Sequence, residues 1–370
     1  MNEAAAGVGK TRAGETAGLR VVTTPYEPLE SQVYVDLRPM FGRDLLLRVE
    51  GFNFAGSLKL RAAAGLVAAA EQSGRLGDDS ILIESSSGNL GLALAVIAAN
   101  KGLRFVCVTD PRCNPSTLNL LRSLGAELVV VTERDPNGGY LQTRLDYVRA
   151  RSAEDSRYVW LNQYANPANW IAHYETTAPE IAKEIPNLDA LFVGVGTAGT
   201  ATGCARYFRD NGGRVKVIAV DAEGSVSFGG PPKPRAIPGL GASVRPPLLE
   251  PELFADVVHV AEEETVRRCR EMARGGFLFG GSTGTVLSGA LRWLDEQDPR
   301  GRLRAVAIAP DLADRYADTV YDDAWVTRRF GPESPALGTH RDRRTTGRQE
   351  DDRGAGLDPA DEHDRKAQHG

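Results

Sequence analysis

Asn53-Phe54-Ala55-Gly56-Ser57-Leu58-Lys59-Leu60-Arg61 decides how this chain is read. The apolar run LLLRV at 45–49 predicts a strand before it, and Leu58 to Gly74, rich in alanine, predicts a helix after it. Lys59 therefore stands where a strand gives way to a helix. The chain has seven lysines among its 44 basic residues, so a lysine at this junction is not background decoration. A lysine desolvated at a helix N-terminus has a lowered pKa, which suits an imine-forming amine. Taken alone, the segment fits a solvated surface lysine better than a catalytic one.

The same alternation continues outward. Strands are predicted at ILIES (81–85), RFVCVTD (104–110), ELVVV (127–131), LFVGVG (191–196), VKVIAVD (215–221) and RAVAIAP (304–310). Helices are predicted over Leu90–Asn100, Thr117–Leu124, Tyr140–Ser152, Ala201–Asp210 and Glu263–Arg274, with another after Ser282. Strands that are apolar on both faces and joined by helices argue for parallel sheets covered on both sides. Two such sets in 370 residues, at about 150 residues per domain, predict two three-layer α/β/α domains with mostly parallel sheets. The expected boundaries are 19–165 and 166–329. A disordered leader at 1–18 and a disordered charged tail at 330–370 flank them, both poor in large apolar residues.

Composition narrows the function classes. The hydrophobic fraction of 42% and charged fraction of 25% are ordinary for a globular protein. A net charge of −5 gives no reason to expect nucleic acid or an anionic membrane as partner. Cys107, Cys113, Cys204 and Cys269 form no CxxC pair and no zinc spacing, and read as buried free thiols. No metal is expected. The leader lacks the apolar core of a signal peptide, and the small-apolar stretch Arg61–Ala70 is too short to span a bilayer, so the cytoplasm is expected. Gly7-Val8-Gly9-Lys10-Thr11 imitates the end of a P-loop, but Ala4 stands where its first glycine belongs.

Three further segments share the junction position of the lysine loop, where open parallel sheets bind ligands. Glu84-Ser85-Ser86-Ser87-Gly88-Asn89-Leu90-Gly91 offers hydroxyls and N–H groups for a carboxylate, or simply caps a helix. Gly194-Val195-Gly196-Thr197-Ala198-Gly199-Thr200 offers backbone N–H groups and a helix N-terminus for a phosphate. Its spacing also fits a dinucleotide fingerprint, with Asp221 ending the next predicted strand. Gly280-Gly281-Ser282-Thr283-Gly284-Thr285 places a hydroxyl before another helix.

The set resembles the tryptophan-synthase-β class of pyridoxal-phosphate (PLP) enzymes, fold type II, in its cysteine-synthase branch. That branch carries N-P-x-x-S-x-K-x-R, T-S-G-N-T-G, G-T-G-G-T and G-x-S-S-G in this order. Here N-F-A-G-S-L-K-L-R, S-S-G-N-L-G, G-T-A-G-T and G-G-S-T-G follow in the same order, and the likeness covers about residues 30–325. A nicotinamide cofactor explains neither Lys59 nor the serine-rich loop. The resemblance implies a cofactor in the cleft between two domains. It makes Lys59 the Schiff-base lysine that also moves the α-proton. It assigns Asn89 to the phenolic oxygen, Gly196, Thr197, Ala198, Gly199 and Thr200 to the phosphate, and Ser282 to the pyridine nitrogen. Ser86, Ser87 and Gly88, assisted by Gln163, are implied for the substrate carboxylate. A serine does not hold the ring nitrogen protonated, which disfavours a long-lived carbanion. Loss of a β-substituent, leaving an aminoacrylate for a nucleophile to attack, is the reaction expected.

Within this branch, the stretches at 84–91, 138–144, 160–166, 220–226 and 238–243 are similar to enzymes that supply 2,3-diaminopropionate for siderophores and antibiotics. Those enzymes join O-phospho-L-serine to the amino group of L-glutamate, giving N-(2-amino-2-carboxyethyl)-L-glutamate, from which a partner dehydrogenase releases diaminopropionate. Arg144 and Tyr164 are the candidates for the extra anionic groups, with Arg245 a weaker one. Three features depart from the pattern: Phe54 replaces a proline, Leu90 replaces a threonine, and only Thr23-Thr24-Pro25 echoes the G-N-T-P-L entry. A cysteine synthase or other β-substituted-alanine synthase is the alternative. A dehydratase and a non-catalytic PLP-binding protein are more distant ones. The resemblance also implies a homodimer.

Overall fold

A computed structural model describes residues 22, 24–27, 33–136 and 138–337. The leader at 1–18, Thr23 and the tail from 338 onward lie outside the described residues. In chain order the elements are β1 (Val33–Asp36), α1 (Arg38–Phe41), β2 (Leu45–Val49), α2 (Lys59–Gln72), β3 (Ile81–Ser85), α3 (Asn89–Lys101), β4 (Arg104–Thr109), α4 (Pro115–Ser123) and β5 (Glu127–Val130). They continue as α5 (Leu141–Glu154), β6 (Tyr158–Trp160), α6 (Ala168–Ala172), a π-helical turn His173–Thr177, α7 (Ala178–Glu184), β7 (Ala190–Gly194) and α8 (Gly199–Asp210). The last are β8 (Lys216–Ala222), β9 (Asp256–Val260), α9 (Glu262–Arg274), α10 (Gly281–Gln297), β10 (Ala305–Ala309) and α11 (Asp323–Phe330).

Two sheets form. One is four-stranded, β5-β4-β3-β6, and wholly parallel. The other is six-stranded, β1-β2-β10-β7-β8-β9, and parallel except for the antiparallel edge pair β1–β2. The apolar runs explain this burial. All five residues of β3 are buried, and so are all five of β10, because helices cover both faces of each sheet. Helix α3 is buried from Leu90 to Ala98, with alanine and glycine letting its neighbours approach, and it packs with α2 into the core beside the smaller sheet. Separate apolar clusters fill the two faces of the larger sheet.

Two boundaries differ from the sequence reading. β1 and β2 lie in the first half of the chain but pair with β10, so residues 33–49 belong to the larger sheet and a single cut at 165 does not divide the fold. Residues 331–337, assigned above to the tail, are packed: Pro335–Leu337 form a 3₁₀ turn, Ala336 is buried, and Ser334 Oγ donates to Glu263. Among the described residues no helix is long and apolar enough to cross a membrane.

Candidate active site

The lysine loop leaves the C-terminal end of β2 and is built around Asn53. Its Oδ1 accepts from the N–H groups of Ala55 (3.0 Å) and Ser57 (3.4 Å), and its Nδ2 donates to the carbonyls of Glu50 and Ser57, both at 2.9 Å. Leu58 N donates to Pro310 O at 2.8 Å, and Ser57 bridges to Asp311, which pins the loop to the chain leaving β10. Lys59 is thereby fixed as the first residue of α2. It is half-buried, and its ammonium makes no hydrogen bond or ion pair among the described residues. Burial holds its pKa below the usual lysine range, against an opposing pull from the Asp311 carboxylate. Phe54, in place of the family's proline, is 66% exposed and does not line this site.

The serine-rich loop leaves β3. Ser86 Oγ accepts from Gly88 N (3.3 Å) and Gly91 N (2.9 Å), so the hydroxyl itself caps α3 while its own hydrogen stays available. Glu84, fully buried, accepts from Ser85 N (2.8 Å), Trp160 Nε1 (3.2 Å) and Gln163 N (3.1 Å). Gln163 in turn donates from Nε2 to Ser85 O at 2.8 Å, so the serine loop and Gln163 form one clamped unit. Burial raises the Glu84 carboxyl from 4.5 to about 7, outweighing those three donors. The native state therefore holds its proton more tightly than the unfolded chain does. The resulting stability is complete below about 4.5 and is lost as pH rises through about 7. Glu84→Gln should flatten the decline in stability between pH 5 and 8 by on the order of 3 kcal/mol. Unfolding midpoints measured across that range test this, and parallel pH profiles would contradict it.

Arg144, on α5, is buried at 6% exposure. Its Nε stands 3.4 Å from Asp110 Oδ2, and neither Nε nor Nη1 makes a hydrogen bond. Its charge acts on Tyr164, whose hydroxyl is raised by burial, and on Cys107, whose thiol donates to Ser86 O at 3.3 Å. Arg144, Tyr164, Gln163 and the serine loop therefore share one locality. Arg245 is exposed and lies outside this network.

The turn between β7 and α8 carries Gly196 to Thr200. Gly199 has no room for a side chain, since a Cβ there would fall 2.1 Å from Asn169 Oδ1. Ala198 is left-handed (φ +70°), a conformation that costs an L-residue roughly 1–2 kcal/mol. Glycine there would forfeit about 0.5–1 kcal/mol through its freer unfolded chain. Ala198→Gly should therefore raise stability by roughly 0.5–1 kcal/mol, read as a higher urea midpoint. A lower midpoint would show that the turn is unstrained.

Ser282 lies in the first turn of α10 against Gly239, whose left-handed backbone (φ +107°) brings its Cα close enough that a Cβ would meet Ser282 Oγ at 2.2 Å. The Gly239 carbonyl in turn comes within 2.9 Å of where a Cβ on Gly196 would sit, so one loop touches both the 196–200 turn and Ser282. Asn89 opens α3. Its Nδ2 donates to Asp311 Oδ2 at 2.8 Å, and its buried Oδ1 has no partner. Tyr316 Oη donates to the same Asp311 oxygen at 2.8 Å. Asp311 is buried, and desolvation raises its carboxyl above the usual range.

Lys59, Asn89, Ser282 and the 196–200 turn are thus joined through Asp311, Tyr316 and Gly239. Sequence reading missed Asp311 and Tyr316, although Asp311 follows a predicted strand at the position the other four segments share. It also missed Asn169 and His173, which have no motif around them. The residues fit pyridoxal phosphate: an uncommitted, desolvated amine, a buried amide oxygen without a partner, a glycine turn at a helix N-terminus, and a hydroxyl at a second one.

Comparison with known proteins agrees. Residues 21–311 match the pyridoxal-phosphate dependent enzyme family. The chain is 42% identical to an N-(2-amino-2-carboxyethyl)-L-glutamate synthase of Cupriavidus metallidurans over 308 residues, 82% of this chain and 90% of that protein. It is 42% identical to one of the same name from Ralstonia nicotianae over 287 residues, 77% and 84% of the two chains. Among solved structures, a hydrogen sulfide-producing enzyme from Fusobacterium nucleatum superposes with a TM-score of 0.74 at 26% identity, over 80% of this chain and all of its own. An O-acetylserine dependent cystathionine β-synthase from Helicobacter pylori gives 0.73 at 26% identity, over 81% and 99%.

Proposed function

The chain belongs to the fold type II pyridoxal-phosphate-dependent enzymes, and on that premise we propose that it joins O-phospho-L-serine to L-glutamate, making N-(2-amino-2-carboxyethyl)-L-glutamate. The observation that carries this reading is the pair of relatives named as synthases of that product, each matched over most of both chains. The buried Arg144, with two nitrogens making no hydrogen bond, supports it chemically, because both proposed substrates bring an extra anionic group.

Bound at this site, pyridoxal phosphate supplies an electron sink that makes loss of a β-substituent from an amino acid feasible. Lys59 would hold it covalently. Thr197, Thr200 and the N–H groups opening α8 would hold its phosphate, and Asn89 and Ser282 its ring edges. Once the substrate's amino group has displaced it, the Lys59 amine, its pKa lowered by burial, would be free to take the substrate's α-proton. Ser86, Ser87 and Gly88, braced by Glu84 and Gln163, fix the α-carboxylate. Arg144 and Tyr164 bind the departing phosphate or the incoming glutamate carboxylate. In the same reading, the product feeds 2,3-diaminopropionate supply for a siderophore or antibiotic through a dehydrogenase, and the enzyme works as a cytoplasmic homodimer. Its small domain comprises the β3–β6 sheet with α2–α5, and its large domain the remaining strands.

A sulfur nucleophile, sulfide in the simplest case, is the rival, since the two structural neighbours at 26% identity are by name enzymes of sulfur amino-acid chemistry, one producing hydrogen sulfide and one forming cystathionine. Holoenzyme given O-phospho-L-serine with glutamate or sulfide in separate reactions, followed by mass spectrometry, decides between them. The glutamate adduct is expected; cysteine formation without the adduct would overturn the reading. Arg144→Gln should raise KM for the anionic substrates about 10–100-fold, the worth of a lost charged hydrogen-bond pair. An unchanged KM would remove Arg144 from the site.

A further inference from the structure

Two polar side chains stand behind the phosphate turn, and no motif announced either. Asn169 lies on α6 and His173 opens the π-helical turn that follows, a spacing of one helical repeat that turns both toward α8. Asn169 is buried, and its Nδ2 donates to Gln163 O at 2.7 Å and to Thr197 Oγ1 at 3.2 Å. A hydroxyl that accepts such a bond keeps its own hydrogen for another partner. His173 is fully buried, with Nε2 3.1 Å from Thr200 Oγ1 and Nδ1 2.9 Å from Thr177 Oγ1.

Burial, together with the charges of Lys59 and Arg61, keeps the imidazole well below its ordinary pKa, so the ring is neutral and has one donor and one acceptor. If Nδ1 carried the hydrogen, Thr200 would give its own hydrogen to Nε2 and turn lone pairs toward the anion. With the hydrogen on Nε2, Thr177 donates to Nδ1, Nε2 donates to Thr200, and the Thr200 hydrogen is released. We infer that His173 stands as the Nε2–H tautomer and that, with Asn169, it makes Thr200 and Thr197 net donors toward the cofactor phosphate. Both are positioning residues. The π-helical turn fits this role, because such turns re-aim side chains at functional sites. The inference rests on the pyridoxal-phosphate reading of the turn and adds to it which way two hydroxyl hydrogens point.

Two readouts independent of turnover test it. The ¹⁵N spectrum of histidine-labelled protein, with the His173 signals identified by their loss in His173→Gln, should show the hydrogen on Nε2. A hydrogen on Nδ1 would overturn the inference. Second, apoenzyme should bind pyridoxal phosphate about 10-fold more weakly in His173→Leu and Asn169→Ala, with pyridoxal affinity changing less than about threefold, because only the bonds to a charged phosphate are lost. His173→Gln, which keeps a donor near the Nε2 position, should restore affinity to within about threefold. Equal losses for pyridoxal phosphate and pyridoxal would make both residues merely structural. If the underlying cofactor reading were wrong, the unaltered protein would show no preference for the phosphorylated form.

Discussion

Lys59→Ala should lower kcat/KM for β-replacement by about 10³-fold or more while leaving the fold intact. The side chain is the one amine at the junction of the converging loops. On the proposed assignment, removing it deletes both the covalent anchor and the base, and a positioned base alone contributes about 10²–10⁴-fold. Stability should hardly change, because the Lys59 ammonium makes no hydrogen bond among the described residues and pays a desolvation penalty. The variant should still take up pyridoxal phosphate through Thr197, Thr200, Asn89 and Ser282, but a denaturing gel filtration should strip it completely. Steady-state kinetics and thermal unfolding on the same preparation provide the check. More than a tenth of wild-type activity would contradict the role.

Arg48→Ala should cost about 3–5 kcal/mol of stability, the usual result of removing one partner from a buried ion pair. Arg48 is fully buried on β2. It pairs with Glu50 at 2.7 Å, with Glu184 at 3.0 Å and with Glu180, and it donates to Tyr34 Oη at 3.0 Å. Arg61 joins the same cluster, reaching Glu50 at 3.0 Å and Glu180 at 2.8 Å. Truncating Arg48 leaves Glu50, itself buried, with a single cation. Because Arg61 lies two residues beyond Lys59, the cluster also fixes the first turn of α2 against β2 and α7. Urea unfolding measures the loss. Arg48→Met combined with Glu50→Gln should recover part of it, since the second change removes the stranded charge. A loss below about 1 kcal/mol for Arg48→Ala would mean that water reaches the cluster.

Much of this was legible in the residues. β2, β3, β4, β7, β8 and β10 appear within a residue or two of their predicted ends, because runs apolar on both faces have no other comfortable place. The lysine, serine and phosphate loops were visible because each joins such a run to a helix. β1, β6 and β9 were not, being edge strands of three to five residues with partly exposed faces. The helical stretch from Ala168 to Glu184 was hidden by its π-helical turn and by Pro179, which spoil a regular 3.6-residue period. Asn169 and His173 went with it. Arg48 looked like an ordinary charge on a strand, and besides its near neighbour Glu50 its carboxylates, Glu180 and Glu184, come only with the return of α7 beneath β2. The same holds for the division of the chain: nothing in LLLRV says that its neighbour is β10, some 260 residues later. Asp311 was overlooked because the chain after β10 carries neither the glycines nor the hydroxyls that marked the other junctions.

Borohydride reduction of the holoenzyme, followed by digestion and mass spectrometry, tests the central assignment most directly. A single phosphopyridoxyl group on Lys59 is expected, with the other six lysines unmodified. Label on a different lysine, or spread thinly over several, would contradict it.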